Sequence, residues 1–211
     1  MAIETARGRE FIIHFNGSRC IHSRNCVLDR PDVFVPNVKG EWIYPDKADT
    51  AAVERLAHNC PSGAITYERV DSGMGEASPL VNTLRVRENG PLAINAPLVI
   101  EGADQGLRAT LCRCGQSKKK PYCDSSHTAA GFMASGEPAK QESQALELRN
   151  GPVRITPKPN GPLLVSGNLE IVSGTGRTIN RVTKTVLCRC GNSANKPYCD
   201  GSHTRVGFKS E

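Results

Sequence analysis

Aromatic side chains are scarce in this chain of 211 residues: they make up 5% of it, with a single Trp. Hydrophobic residues of all kinds make up 38%. Small domains with few large apolar side chains bury little surface and commonly need disulfides or bound metals for stability. The composition therefore predicts that cross-links of one of these kinds support the fold.

Long apolar runs are absent as well, and the first ten residues, MAIETARGRE, lack the apolar stretch of a secretory signal. We therefore expect a cytoplasmic protein that has no membrane partner. The formal net charge is only +6, and the one basic run, Lys118 to Lys120, is typical of a solvated loop. Nucleic acid is thus not an expected partner. No nucleophile–base pair, phosphate loop or flavin motif is apparent outside the cysteine groups, so we do not expect an enzyme.

Cysteine, in contrast, is plentiful, with nine residues. An odd number in a reducing compartment argues against a disulfide framework. The nine fall into three groups of three: Cys20, Cys26, Cys60; Cys112, Cys114, Cys123; and Cys188, Cys190, Cys199. Three similar groups predict three metal centres.

The first predicted segment, residues 1–75, combines strands and a helix. EFIIHF and AITYERV are typical of strands. DTAAVERLAHNC predicts a helix capped by Asp49 or Thr50, whose apolar stripe places Cys60 on the buried face. DSGMGEASP, which follows, has the Gly and Ser content of a linker.

The rest of the chain is a tandem repeat, for which we predict segments 79–138 and 145–211. NGPLAINAPLVIEG begins at Asn89 and NGPLLVSGNLEIVSG at Asn160, and each precedes an LCRCG sequence. Short apolar runs divided by Gly-Pro and Asn-Gly favour β-hairpins. Two copies of one unit can pair face to face as the subunits of a dimer do.

Each repeat ends in the spacing C-x-C-x8-C-x3-H. Residues two apart on a strand point to the same side, so Cys112 and Cys114 can grip one metal with Arg113 facing away. Residues four apart meet on a helical turn, so Cys123 and His127 can hold a second metal. The second copy offers the same pairs: Cys188 with Cys190, and Cys199 with His203. Two pairs on two elements suit two metals bridged by sulfide, but three Cys and one His can also bind a single structural zinc.

These strings, CRCGQSKKKPYCDSSH and CRCGNSANKPYCDGSH, resemble the CDGSH (NEET-type) iron–sulfur family, whose signature is C-x-C-x2-[ST]-x3-P-x-C-D-G-[SAT]-H. The resemblance implies a [2Fe–2S] cluster in each copy, held by the three Cys and the His, and a β-rich cap beside each cluster lobe. Family members with one motif pair as homodimers. The tandem therefore resembles that dimer fused into one chain, an intrachain pseudo-dimer in a β-rich α+β protein.

One position departs from the signature, because Ser125 stands where the family has Gly. A left-handed backbone at this position would make Ser unfavourable by about 1 kcal/mol or more. We expect instead that Ser125 lies in the first turn of a helix, where Ser is acceptable.

The first segment resembles single-cluster ferredoxins of the [3Fe–4S] type and a divergent single-cluster [4Fe–4S] family. CIHSRNC and the later CPSGAI supply Cys20, Cys26 and Cys60, but Ser23 replaces the middle cysteine of the ferredoxin pattern. The resemblance implies a [3Fe–4S] cluster or a cluster with an open corner. Two alternatives remain: His22 or Ser23 completes a four-ligand site, or the segment folds without a cluster.

The leading functional hypothesis is a monomeric electron carrier with internal pseudo-two-fold symmetry, up to three clusters and a redox partner protein. A second hypothesis is a store or donor that delivers clusters to apo iron–sulfur acceptors. A third is a redox or acid sensor, and a fourth is a zinc-binding structural module.

Overall fold

The computed structural model describes residues 3–210, which form two compact units, 3–77 and 78–210. Residues 1, 2 and 211, at the ends of the predicted segments, lie outside the described residues. The protein is of the predicted strand-rich α+β class. Within residues 3–210, no helix is long and apolar enough to cross a membrane. The finer division into three segments stays a prediction.

The first unit is a three-stranded antiparallel sheet in the order β1-β2-β3, with two helices. Its elements are β1 (Glu4–Arg7), β2 (Phe11–Phe15), α1 (Asn25–Asp29), a 3-10 helix (Pro45–Lys47), α2 (Thr50–His58) and β3 (Ile65–Arg69). The two predicted strands and the predicted helix are confirmed as β2, β3 and α2.

Helix α2 begins where the sequence predicts, because the Asp49 carboxylate accepts a hydrogen bond from the Ala52 amide at 2.8 Å. Its buried stripe, Ala52, Val53, Leu56 and Ala57, packs into the core of the first unit. Cys60 follows the helix and is buried in the same core. The helix thus fixes one of the three predicted cysteine ligands of this unit.

The second unit contains both repeats in one eight-stranded sheet. The first repeat supplies β4 (Thr83–Val86), β5 (Leu92–Asn95), β6 (Leu98–Ile100), β7 (Ala103–Asp104), β8 (Arg108–Leu111) and α3 (Ser126–Ala129). The second supplies β9 (Val153–Pro157), β10 (Leu163–Val172), β11 (Thr178–Leu187) and α4 (Ser202–Arg205). The predicted hairpins are present, and in the second repeat they are drawn out into two ten-residue strands.

Two parallel pairings join the repeats, and they are equivalent. Strand β6 pairs with β9 through Val99 and Arg154, and β10 pairs with β4 through Glu170 and Thr83. Val99 and Glu170 are 71 positions apart, as are Thr83 and Arg154. Each repeat therefore adds a strand to the other in the same register.

The two repeats also share one hydrophobic core, in which buried side chains of both pack in a single cluster. Its members include Ile94, Leu98 and Leu111 of the first repeat with Ile155, Leu169 and Leu187 of the second. The buried Asn82 side chain adds hydrogen bonds between the repeats. Its amide donates to the carbonyl oxygens of Gly151 and Asn168, both at 2.8 Å. The core of this unit is therefore built from both repeats.

Candidate metal centres

The predicted ligands of the first repeat lie in two close pairs. The sulfur atoms of Cys112 and Cys114 are 3.8 Å apart, and the Cys123 sulfur lies 3.5 Å from Nδ1 of His127. The second repeat reproduces both pairs: Cys188 and Cys190 at 3.7 Å, and Cys199 and His203 Nδ1 at 3.5 Å. Nδ1 is therefore the imidazole nitrogen that faces the cysteine in both copies.

These separations match the spacing that one metal imposes on two of its ligands. With metal–sulfur bonds of about 2.3 Å and metal–nitrogen bonds of about 2.0 Å, tetrahedral geometry places two sulfurs about 3.8 Å apart and a sulfur–nitrogen pair about 3.5 Å apart. Each pair is thus spaced to bind one metal. Within residues 3–210, no three His, Cys, Asp or Glu side chains form a group that could hold a single ion together.

A short return of the chain brings the two pairs of each copy together. Strand β8 ends immediately before Cys112, whose amide donates to the Pro121 carbonyl at 2.8 Å. The Cys123 amide then donates to the Thr110 carbonyl at 2.9 Å. The buried Ser117 hydroxyl braces the loop by donating to the Tyr122 carbonyl at 2.6 Å.

In the second copy, the Cys188 and Cys199 amides make the same bonds to Pro197 and Val186, and Ser193 donates to the Tyr198 carbonyl at 2.7 Å. The hydroxyl that the signature requires at these positions therefore holds the ligand loop closed.

The histidines lie on the one-turn helices α3 and α4, as the x3 spacing predicts. Asp124 precedes α3 and accepts hydrogen bonds from the amides of Ser126 and Lys118 at 3.0 and 2.8 Å. Burial alone would raise the pKa of Asp124, but hydrogen bonds from the Ser126 side chain and from the two amides outweigh it and lower the pKa to about 2. Asp200 accepts the equivalent bonds from Ser202 and Ala194.

The prediction for Ser125 was wrong. Ser125 is not in the first turn but precedes it, with φ of +70°, in the same left-handed conformation as Gly201 at +82°. The turn needs this conformation because the amide of this residue points at the preceding ligand: Ser125 donates to the Cys123 sulfur, and Gly201 to the Cys199 sulfur, both at 3.4 Å. The hydrogen bond to the ligand sulfur thus fixes a left-handed backbone at Ser125, although Ser disfavours this conformation.

Further amides point at the C-x-C cysteines: Gln116 donates to the Cys114 sulfur at 3.4 Å and Asn192 to the Cys190 sulfur at 3.5 Å. Amide hydrogen bonds favour the thiolate, which is the form that binds metal.

Within the first C-x-C pair, the two buried thiols share a hydrogen bond that lowers the pKa of Cys112 and raises the pKa of Cys114. A metal bound by both sulfurs would displace the shared proton.

The two arginines inside the C-x-C sequences are buried. Arg113 donates to four carbonyl oxygens: Gly90 at 2.8 Å, Ser135 at 3.1 Å, Arg87 at 2.6 Å and Ala134 at 2.9 Å. Arg189 donates to Gly161 and Lys158. The sequence reasoning gave these arginines no role, although their recurrence in both copies was a signal.

The two C-x-C segments touch through their glycines. A Cβ atom on Gly115 would lie 2.6 Å from the Cys190 carbonyl oxygen, and one on Gly191 would lie 2.5 Å from that of Cys114. Because both residues have φ of +81° and no side chain, each lets the ligand backbone of the other copy approach closely. The two centres are therefore in direct backbone contact.

The predicted ligands of the first unit also approach one another. Cys20, Cys26 and Cys60 all pack on the same core. Burial raises the pKa of the Cys20 and Cys26 thiols, and the negative charge of a Cys60 thiolate raises both further. The His22 amide donates to the Cys20 sulfur at 3.4 Å, and its side chain is exposed. Ser23 is partly buried in the same turn, where His22 and Arg24 both have positive φ.

Comparison with known families separates the same two parts of the chain. The family model described as iron-binding zinc finger, CDGSH type, matches residues 89–128 and 160–204. A second, described as a divergent 4Fe-4S mono-cluster, matches residues 6–70.

Individual relatives agree with this division. CDGSH iron-sulfur domain-containing protein 1 of Rattus norvegicus is 31% identical over 90 residues, which are 43% of this chain and 73% of that protein. Its counterpart in Bos taurus is 33% identical over 92 residues, 44% of this chain and 76% of that protein. The uncharacterized protein YjdI of Escherichia coli (strain K12) is 41% identical over 61 residues, 28% of this chain and 78% of that protein.

Proposed function

The chain belongs to the CDGSH iron–sulfur family, and we propose that it is an electron carrier that holds one [2Fe–2S] cluster in each of its two CDGSH units. The observation that carries this proposal is the repeated pairing of donors, two sulfurs at 3.8 Å and a sulfur with an imidazole nitrogen at 3.5 Å. Two metals bridged by sulfide satisfy both pairs, whereas a single zinc needs all four donors around one point. A bound [2Fe–2S] cluster accepts and releases one electron.

The chain's own residues adapt these sites to that task. A histidine in place of a fourth thiolate removes one negative charge from the ligand set, which favours uptake of an electron. Amides of Gln116 and Ser125 donate to the first site's sulfurs and stabilise added negative charge. Cys112 and Cys188 are each only 1% exposed, so solvent is kept from one side of each site.

The paired repeats support the proposal of an intrachain pseudo-dimer. The support comes from their equivalent strand exchange and the mutual glycine contact, which are relations expected between two subunits of a dimer. For the first unit we propose an iron–sulfur cluster on Cys20, Cys26 and Cys60, with one corner that lacks a cysteine.

Cluster delivery to an apo iron–sulfur acceptor is the second candidate. It is favoured by the partial exposure of His127 and His203, which contrasts with the buried C-x-C cysteines. An acceptor could displace the exposed neutral ligand first.

The two candidates separate in one experiment. Protein purified without oxygen is cycled with dithionite and ferricyanide and then incubated with a reduced apo-ferredoxin. A carrier recovers its visible absorption and keeps its iron through the cycles, and the apo-ferredoxin stays colourless. Transfer of absorption to the apo-ferredoxin, faster for the parent than for His127→Cys/His203→Cys, would contradict the carrier proposal and support delivery.

A further inference from the structure

The C-x-C segments of the two repeats lie against each other, which brings each buried arginine towards the opposite site. Arg113 stands between Cys112 and Cys114, just beyond the end of β8, and its buried guanidinium binds carbonyl oxygens of its own repeat. Two residues further along the chain, Gly115 meets the carbonyl of Cys190, so the ligand segments of the two copies are direct neighbours. The same relation holds in reverse for Arg189 and the first copy.

Both guanidinium groups are fixed in position. Four carbonyl oxygens bind Arg113, and the Phe132 ring lies 5.4 Å from its central carbon. Arg189 is bound by two carbonyl oxygens and has the Phe208 ring at 5.5 Å. Carbonyls and rings orient the guanidinium but carry no net charge, so they do not neutralise it.

The charged groups that act on each arginine include a cysteine of the opposite copy. Burial lowers the pKa of Arg113 to about 10, while Glu88, Cys188 and Cys114, in that order, act against the decrease. Burial also lowers the pKa of Arg189, and Cys112 is the foremost group acting against it. Each arginine thus interacts with the first cysteine of the other repeat.

We propose that Arg113 and Arg189 are positioning charges that act across the two copies: Arg113 raises the reduction potential of the centre at Cys188, and Arg189 that of the centre at Cys112. A fixed positive charge stabilises the added electron more than the oxidised state, and burial keeps solvent from screening it. This inference rests on the proposed cluster binding. It makes the potential of each centre a property of both repeats.

The test isolates the second centre. Cys123→Ser/His127→Ala removes two ligands of the first centre and leaves the segment from Cys112 to Cys114 unchanged. In this background, we compare Arg113→Met, which removes the charge, with Arg113→Lys, which keeps it and loses the planar fork. The readouts are the midpoint potential of the remaining centre, its iron and sulfide content, and the thermal unfolding temperature.

We expect Arg113→Met to lower the midpoint potential and Arg113→Lys to leave it near the value of the background protein, both with the iron and sulfide content of the background protein. An unshifted potential in an iron-loaded Arg113→Met protein would overturn the inference, as would equal shifts in both variants. A parent protein that holds no iron and sulfide when it is prepared without oxygen would instead refute the proposed cluster binding.

A second variant keeps the test decisive if Arg113→Met does not fold. Glu88 is the carboxylate whose negative charge acts on Arg113 and raises its pKa. Its Oε2 accepts a hydrogen bond from the Gly136 amide. Glu88→Gln keeps an acceptor oxygen there and removes the negative charge. The potential of the second centre should rise in this variant, and an unchanged potential would overturn the inference.

Discussion

Gly115 and Cys190 are in backbone contact across the two repeats, with no space for a side chain on the glycine. The mirror contact joins Gly191 and Cys114. The contact couples the ligand peptide of each centre to the fold of the other, so damage to one copy should reach both.

Gly115→Ala should therefore destabilise the protein and release iron from both centres. The left-handed backbone contributes about 1 kcal/mol, and the displaced carbonyl adds about 1–3 kcal/mol. The matched control is Gly102→Ala, because Gly102 has φ of +83° but no atom within 4 Å of the added Cβ. Thermal unfolding with iron analysis checks this, and equal losses in the two variants would show that the contact is unimportant.

Ser125 and Gly201 offer a reciprocal exchange. Because Ser125 has φ of +70°, Ser125→Gly should stabilise the protein by about 1 kcal/mol, and Gly201→Ser should destabilise it by a similar amount. Thermal unfolding of the cluster-loaded proteins measures both. A lower stability of Ser125→Gly would mean that Ser stabilises this turn in a way the backbone does not reveal.

Much of the site was predictable from sequence because its chemistry is local. The short spacings of Cys112 with Cys114 and of Cys123 with His127 predicted which side chains meet. The φ of Ser125 was not predictable in this way, because it depends on an amide aimed at the Cys123 sulfur. The glycine contacts and the neighbours of Arg113 and Arg189 could not be predicted from the sequence either, because they arise only when two distant segments pack together.

Ser23→Cys should complete the ligand set of the first unit. Ser23 lies in the turn between Cys20 and Cys26, where the ferredoxin pattern has its middle cysteine. A thiolate is a far better iron ligand than a hydroxyl near neutral pH, so the variant should retain its first-unit iron longer in air. Iron analysis and EPR spectra over time measure this, with Ser18→Cys, in the preceding loop, as the control. Equal iron loss from both variants would contradict the ligand assignment of this unit.

The histidine ligands should make the CDGSH centres sensitive to acid. A proton on Nδ1 competes with iron for the same lone pair, so iron is lost faster as pH falls. Burial lowers the pKa of His127, which opposes protonation and moves the onset of loss to lower pH.

His127→Cys and His203→Cys should slow the decay of visible absorption at pH 6 relative to the parent. The loss of visible absorption is followed by stopped-flow spectroscopy after mixing into buffer at pH 6, and the loss at pH 8 is the reference. Equal decay of the double variant and the parent would count against both histidines as ligands.

The central claim is that iron pairs bridged by sulfide, and not single zinc ions, occupy the two CDGSH centres. The most direct test is metal and acid-labile sulfide analysis of the full-length Cys20→Ser/Cys26→Ser/Cys60→Ser variant, prepared without oxygen. In this variant the first unit lacks its cysteine ligands, so the metal and sulfide that are measured belong to the two CDGSH centres. We predict about four irons and four sulfides per chain, two of each for either [2Fe–2S] centre. A colourless protein that contains zinc and no labile sulfide would contradict the account.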